Sequence, residues 1–124
     1  MVGVLDGHGG WQVSNYLSNA LVPLAKAHSL FDADISNEKA VEVKMISLFQ
    51  DLEDGYIQKV KEAYSLGFGG VSSVGSCVLI AMRKDSHLTC ANLGDCRAVV
   101  GSLAADGKST WNATTLTNDH NCRY

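Results

Sequence analysis

The hydrophobic residues of the N-terminal half change from the spacing of a strand to that of helices. Residues 2–5, Val-Gly-Val-Leu, form a short apolar run that predicts a strand, stopped by the glycines of residues 6–10. From Val13 to Leu24 the apolar residues recur every three or four positions, which predicts a helix. Pro23 should kink or end this helix near residues 20–22, because proline has no amide hydrogen to donate.

A polar stretch at residues 28–37 predicts a loop before a second, longer helix. One face of that helix is apolar and consists of Val41, Met45, Leu48, Phe49, Leu52, Tyr56, Val60 and Ala63. Ser36 or Asn37 can cap its start, Glu38 suits the positive end of the helix dipole, and Gly67 is suited to end it.

After Gly67 the spacing changes to that of strands. Residues 76–82, 88–92, 97–101 and 111–116 are short β-type runs, and turn sequences separate them at 84–86, 93–95 and 105–108. Consecutive short strands joined by tight turns predict an antiparallel meander. The order of elements predicts an α+β fold in which helices are layered on an antiparallel sheet.

The composition indicates one folded domain and excludes several classes of protein. The chain has 124 residues, of which 46% are hydrophobic and 19% charged, as in a globular domain with one core. A net charge of −3 argues against a nucleic-acid partner. No apolar run approaches the ~20 residues that span a bilayer, so no membrane association is expected.

The sequence also predicts the localisation of the protein and the state of its cysteines. No signal peptide is recognisable after Met1, so a cytoplasmic or nuclear protein is expected. The four cysteines, at positions 77, 90, 96 and 122, lack the C-x-x-C spacing of zinc or redox sites and are expected to be reduced thiols. His28 and His87 lie in polar stretches and are expected to be exposed.

The first candidate for chemistry is the sequence Asp-Gly-His-Gly-Gly at residues 6–10. A carboxylate at a strand end, beside main chain that glycines leave accessible, suits a hard cation such as Mg²⁺ or Mn²⁺. The helix that follows could attract an anion such as phosphate. Histidines titrate near neutral pH, which suits His8 to acid–base chemistry. By itself the segment favours a glycine-rich turn over a site, because short glycine motifs often match by chance. A dinucleotide-binding loop is disfavoured, because Gln12 occupies the place of the third glycine.

Two further polar segments are ambiguous when taken alone. Residues 91–98, Ala-Asn-Leu-Gly-Asp-Cys-Arg-Ala, fit a hairpin turn in which Gly94 takes an unusual backbone angle and Asp95 hydrogen-bonds locally. Residues 116–121, Leu-Thr-Asn-Asp-His-Asn, fit a polar strand end or a solvated terminus.

Together, four segments resemble the signature of the type 2C, metal-dependent protein serine/threonine phosphatases. These are Asp-Gly-His-Gly-Gly at 6–10, Gly-Ser-Cys at 75–77, residues 91–98, and Leu-Thr-Asn-Asp-His at 116–120. The second segment is similar to the family's Gly-Ser-Thr. The third is similar to its Ala-Asn-x-Gly-Asp-Ser-Arg-Ala, with Cys96 in place of serine. The segments stand in the family's order and extend over the whole chain.

The resemblance implies a four-layer α-β-β-α sandwich, with two antiparallel sheets flanked by helices and two Mg²⁺ or Mn²⁺ ions at one end. It further implies that Asp6 bridges the metals, that the Gly7 carbonyl binds one of them, and that Asp95 belongs to a further, weaker metal position. His8 would be the general acid that protonates the leaving oxygen. Phosphorylated proteins would be the substrates, hydrolysed by a metal-activated water.

The resemblance also implies that residues 1–124 are a partial catalytic domain, without the opening strands and the C-terminal half. The family's phosphate-binding arginine and an acidic metal-binding pair would precede Asp6, and later metal-binding aspartates would follow the last motif. We therefore expect the chain alone to be inactive. The alternative is a short, inactive relative that acts as a binding or regulatory module.

Overall fold

Two helices follow the first strand and precede the other strands in the computed structural model, which describes residues 1–104 and 110–122. The elements are β1 (Val2–His8), α1 (Gln12–Ala27), α2 (Glu38–Ser65), a short 3₁₀ helix (Gly69–Ser73), β2 (Gly75–Lys84), β3 (His87–Leu93), β4 (Val99–Leu103) and β5 (Trp111–Thr115). The prediction of an α+β fold with antiparallel sheets, part of an α-β-β-α sandwich, is confirmed.

Strands β1 to β3 form an antiparallel sheet in the order β1-β2-β3. β1 and β2 pair with Val2 opposite Ala81 and His8 opposite Gly75, so the C-terminal end of β1 meets the start of β2. β2 and β3 form a hairpin whose two-residue turn contains Asp85 at a φ of 54°. The predicted turn at 84–86 is thus confirmed.

The predicted meander is wrong between β3 and β4, since β4 and β5 pair in a separate two-stranded sheet. The segment between β3 and β4 is not a hairpin turn. Gly94 has a φ of 97° there, as expected, but its carbonyl accepts the amide of His120 and the Ala98 amide donates to Thr117 Oγ1. These backbone groups are therefore used by the last motif instead of by a ladder with β3. The predicted turn at 105–108 lies outside the described residues.

The sequence predicts that Pro23 kinks or ends α1 near residues 20–22, and an end there is wrong, because the helix runs through Pro23 to Ala27. A kink at this point stays a prediction. Proline removes one amide donor within the helix. Leu21 and Ala25, on either side of Pro23, are both buried, so the apolar face continues past the proline. We attribute the persistence of the helix to this packing.

The second helix begins and ends where the sequence indicates. The Asn37 side chain accepts a hydrogen bond from the Ala40 amide, and Gly67 follows the C-terminal end with a φ of 91°. Val41, Met45, Leu48 and Leu52 are buried, which confirms the predicted apolar face.

The core lies between the helices and one face of β2. Val78, Ile80 and Met82 alternate along that strand and are buried against α1 and α2 residues such as Leu17 and Leu48. The loop between the helices is fastened by His28, whose Nε2 lies 2.8 Å from Asp51 Oδ2. The expectation that His28 is exposed is wrong, since only 20% of its side chain is accessible.

Outside the core, several strand residues keep apolar side chains exposed. Val4 is 55% exposed, Val99 54% and Trp111 68%. Within the described residues, neither helix is long and apolar enough to cross a membrane.

Candidate metal centre

Asp6, Gly7 and His8 form the C-terminal end of β1, in register with the first residues of β2. Asp6 lies opposite Cys77, Gly7 opposite Ser76, and His8 opposite Gly75. Alternation along a strand places Asp6 and His8 on one face and Gly7 on the other. On that other face a Cβ at Gly7 would lie 2.7 Å from Ser14 Oγ of α1, so glycine permits the helix to pack closely here.

His8 projects over β2 at a position where only glycine leaves room. A Cβ at Gly75 would collide with Nε2 of the imidazole. The His8 ring lines a cavity of about 300 Å³ whose wall includes Glu53 and Tyr56 of α2. His8 as a whole is exposed at this end of the sheet.

The segment after β3 brings Asp95 to the same end of the sheet. The Cys77 thiol donates a hydrogen bond to Asp95 Oδ1, with the two atoms 3.4 Å apart. Cys77 is the residue opposite Asp6 on β2, so this hydrogen bond holds Asp95 at the end of the sheet where β1 carries Asp6. This hydrogen bond of Asp95 is made to a residue distant in the sequence, whereas the hairpin interpretation predicts a local one.

Both carboxylates affect the pKa of the Cys96 thiol. Burial raises the pKa of Cys96, and the nearby Cys77, Asp6 and Asp95 raise that pKa further because negative neighbours disfavour a thiolate. Asp6 and Asp95 are thus close enough to influence the same group. None of the four cysteines, all within the described residues, forms a disulfide, as expected.

The oxygen atoms gathered here fit a divalent cation in kind but not in number. Carboxylates and a backbone carbonyl are the donors that Mg²⁺ and Mn²⁺ prefer. Within residues 1–104 and 110–122, however, no three histidine, cysteine or acidic residues are placed to hold a metal ion. Asp6, Gly7 and Asp95 could therefore supply only part of a donor set for such an ion.

The start of α1 lies close to the centre. The side chain of Trp11, the residue before the helix, does not cap it, so the first backbone amides of α1 are available to other acceptors. Gly9 adopts a φ of 71° where its backbone passes against the Ser73 carbonyl, and a side chain would be strained and obstructed there.

Sequence reasoning missed the contact that joins the third and fourth motifs. Arg97 binds Asp119 with two hydrogen bonds, Nε to Oδ1 at 3.1 Å and Nη2 to Oδ2 at 2.5 Å. Arg97 lowers the pKa of Asp119, mainly through the hydrogen bond. The only signal in the sequence was the presence of an arginine and an aspartate in the two motifs.

The antiparallel α+β fold, with the motif residues Asp6, His8 and Asp95 at one end of its first sheet, is that expected of a phosphatase domain. The family described as Protein phosphatase 2C matches residues 1–123. The chain belongs to the protein phosphatase 2C family.

Curated relatives give the same result. The chain is 36% identical over 120 residues to "Probable protein phosphatase 2C 78" of Oryza sativa subsp. japonica, an alignment that covers 97% of this chain and 29% of the relative. It is 34% identical over 122 residues to "Probable protein phosphatase 2C 68" of Arabidopsis thaliana, covering 97% of this chain and 30% of that protein. The chain therefore spans less than a third of the length of these relatives.

Proposed function

We propose that the protein hydrolyses phosphoserine and phosphothreonine in proteins, with Mg²⁺ or Mn²⁺ as the required cofactor. The observation that carries the proposal is that Asp6, His8 and Asp95 lie at one end of the sheet, where Asp6 is paired with Cys77 and the Cys77 thiol donates to Asp95 Oδ1. Membership of the protein phosphatase 2C family supports it.

The residues of this chain would divide the work as follows. Asp6 and the Gly7 carbonyl would hold metal, and Asp95 would contribute to a further position. Two bound ions would supply a water that is nucleophilic at neutral pH. His8 would donate a proton to the leaving serine or threonine oxygen, because an alkoxide is a poor leaving group unless it is protonated.

The test is the metal dependence of the full-length protein on phosphoserine and phosphothreonine peptides. Excess EDTA should abolish turnover and added Mn²⁺ should restore it. Asp6→Asn should remove turnover, whereas Asp85→Asn, in the exposed β2–β3 turn, should leave it unchanged. Undiminished turnover in excess chelator would contradict the metal-dependent mechanism.

A second candidate function is a non-catalytic module that binds phosphorylated partners. It is favoured by the absence of a three-residue metal cluster within residues 1–104 and 110–122. Phosphopeptide binding without phosphate release from the full-length protein, at millimolar Mn²⁺, would select this alternative.

Residues 1–124 in isolation should have no phosphatase activity. Two adjacent cations repel each other, and Asp6 with Asp95 would offset too little of that charge. The exposed apolar side chains of Val4, Val99 and Trp111 should also promote association. A monomeric protein with family-like turnover in Mn²⁺ would contradict this.

A further inference from the structure

Arg97 and Asp119 form an ion pair at the base of the segment that carries Asp95. Arg97 lies two residues after Asp95 and two residues before the start of β4, and Asp119 lies beyond the end of β5. The two parallel hydrogen bonds of a guanidinium on a carboxylate fix orientation as well as distance. Only 18% of the Asp119 side chain is exposed, so the pair is shielded on the carboxylate side.

The residues next to Asp119 form hydrogen bonds with the part of the same segment that precedes Asp95. The Asn92 side-chain Nδ2 donates to the Asn118 carbonyl at 2.8 Å and to the Gly94 carbonyl at 3.1 Å. The His120 amide also donates to the Gly94 carbonyl, at 2.8 Å. Gly94, which directly precedes Asp95, is therefore held directly by His120 and is linked to Asn118 through the Asn92 side chain.

Backbone contacts continue this connection into the second sheet. The Leu116 amide donates to the Ala98 carbonyl at 2.8 Å, and the Ala98 amide donates to Thr117 Oγ1 at 3.0 Å. Residues 116–120 therefore form hydrogen bonds with residues that precede Asp95 in the sequence and with a residue that follows it. Asp95 and Cys96 form the apex between them, and the Asp95 carboxylate points towards Cys77 of β2.

We propose that Arg97 and Asp119 are positioning residues for metal binding at Asp95, because their ion pair fixes the segment that presents this carboxylate beside Asp6. The inference rests on the proposed function, since it assumes that Asp95 meets a metal. Arg97 and Asp119 themselves touch neither metal nor substrate. The Leu-Thr-Asn-Asp-His segment therefore serves the metal centre through hydrogen bonds to residues 92–98.

The test is Mn²⁺ binding to the full-length protein, measured by electron paramagnetic resonance of the free ion, with turnover measured in parallel. Asp119→Asn should weaken the Asp95-dependent Mn²⁺ site by about 10–100-fold, the usual cost of removing an outer partner of a metal ligand. Saturating Mn²⁺ should restore kcat, because the chemistry-bearing residues are intact. Glu42→Gln, which breaks the exposed Lys39–Glu42 pair on α2, is the matched control and should change neither quantity.

A double-mutant comparison separates positioning from general stability. If Asp119 acts through Asp95, the variant Asp95→Asn with Asp119→Asn should bind Mn²⁺ no more weakly than Asp95→Asn alone. Exchanging the two charges, Arg97→Asp with Asp119→Arg, should recover part of the lost affinity. Additive losses in the double variant would overturn the proposal.

The remaining outcomes also decide the question. Unchanged Mn²⁺ affinity in Asp119→Asn, with a loss in Asp95→Asn, would refute the positioning role while the phosphatase proposal stands. Unchanged affinity in Asp95→Asn would refute the inference together with the Asp95 assignment. If Asp119→Asn fails to fold, Arg97→Lys, which keeps the charge but loses the fork, should still weaken Mn²⁺ binding; normal affinity in that variant would overturn the proposal.

Discussion

The Cys77 sulfur lies 3.4 Å from Asp95 Oδ1 and so connects the strand opposite Asp6 with the loop that carries the second carboxylate. A thiol is a weak donor, and a hydroxyl at the same place should serve better.

We predict that Cys77→Ser is more stable than Cys77→Ala. The serine hydroxyl can still donate to Asp95, which should be worth about 0.5–1.5 kcal/mol in the free energy of unfolding. Urea denaturation of the full-length variants measures the difference. The same two substitutions at half-buried Cys90, whose thiol has no hydrogen-bond partner among residues 1–104 and 110–122, form the control, and serine should give no advantage there. Equal stability of both variants at position 77 would contradict a contribution from this hydrogen bond.

Gly94→Ala should destabilise the protein by roughly 1–3 kcal/mol, because the residue has a φ of 97°. A Cβ there would also lie 2.8 Å from the Cβ of Cys77. Gly70→Ala is the matched control, since a Cβ at Gly70 meets nothing within 4 Å. Thermal or urea unfolding distinguishes the two, and similar stabilities would show that the loop adapts.

His8→Ala should lower turnover on alkyl phosphates by roughly 10²–10⁴-fold if His8 is the general acid. The loss should be smaller on p-nitrophenyl phosphate, because its leaving group needs little protonation. His87→Ala, at an exposed position of β3, should leave both rates unchanged. Equal losses on the two substrates would indicate that His8 has a structural or water-positioning role.

The Arg97–Asp119 pair should make stability depend on acidic pH. The folded-state pKa of Asp119 is lowered, so its contribution is present above the unfolded-state pKa and is lost as pH falls through the folded-state pKa. The difference in melting temperature between the unmodified protein and Asp119→Asn should shrink over that acidic window. A titration followed by carbon NMR of the Asp119 carboxyl should have its midpoint at a lower pH in the unmodified protein than in Arg97→Ala. Equal midpoints would contradict the pairing in solution.

Ile80→Ala should cost about 2–5 kcal/mol of unfolding free energy, because Ile80 is fully buried between the sheet and the helices. Ile46→Ala is the control on α2, where the side chain is 49% exposed. Its cost should stay well below that of Ile80→Ala, and comparable costs would place the core elsewhere.

The sequence by itself determined the elements and the family. The apolar face from Val41 to Leu52 and the β-type run at residues 76–82, which lies within β2, follow from local patterns, because periodicity records which side of an element is buried. The four motifs were sufficient for the resemblance to the phosphatases, which the family match confirms.

The tertiary structure decided how those pieces meet. α1 continues through Pro23 because packing on both sides offsets a lost hydrogen bond, and β4 leaves the first sheet because residues 116–120 occupy the backbone groups around Gly94. The hydrogen bond of Asp95 to Cys77, the residue opposite Asp6, and the pairing of Arg97 with Asp119 join residues distant in the chain. Such contacts depend on strand register and on hydrogen bonds between loops, which no local pattern of residues records.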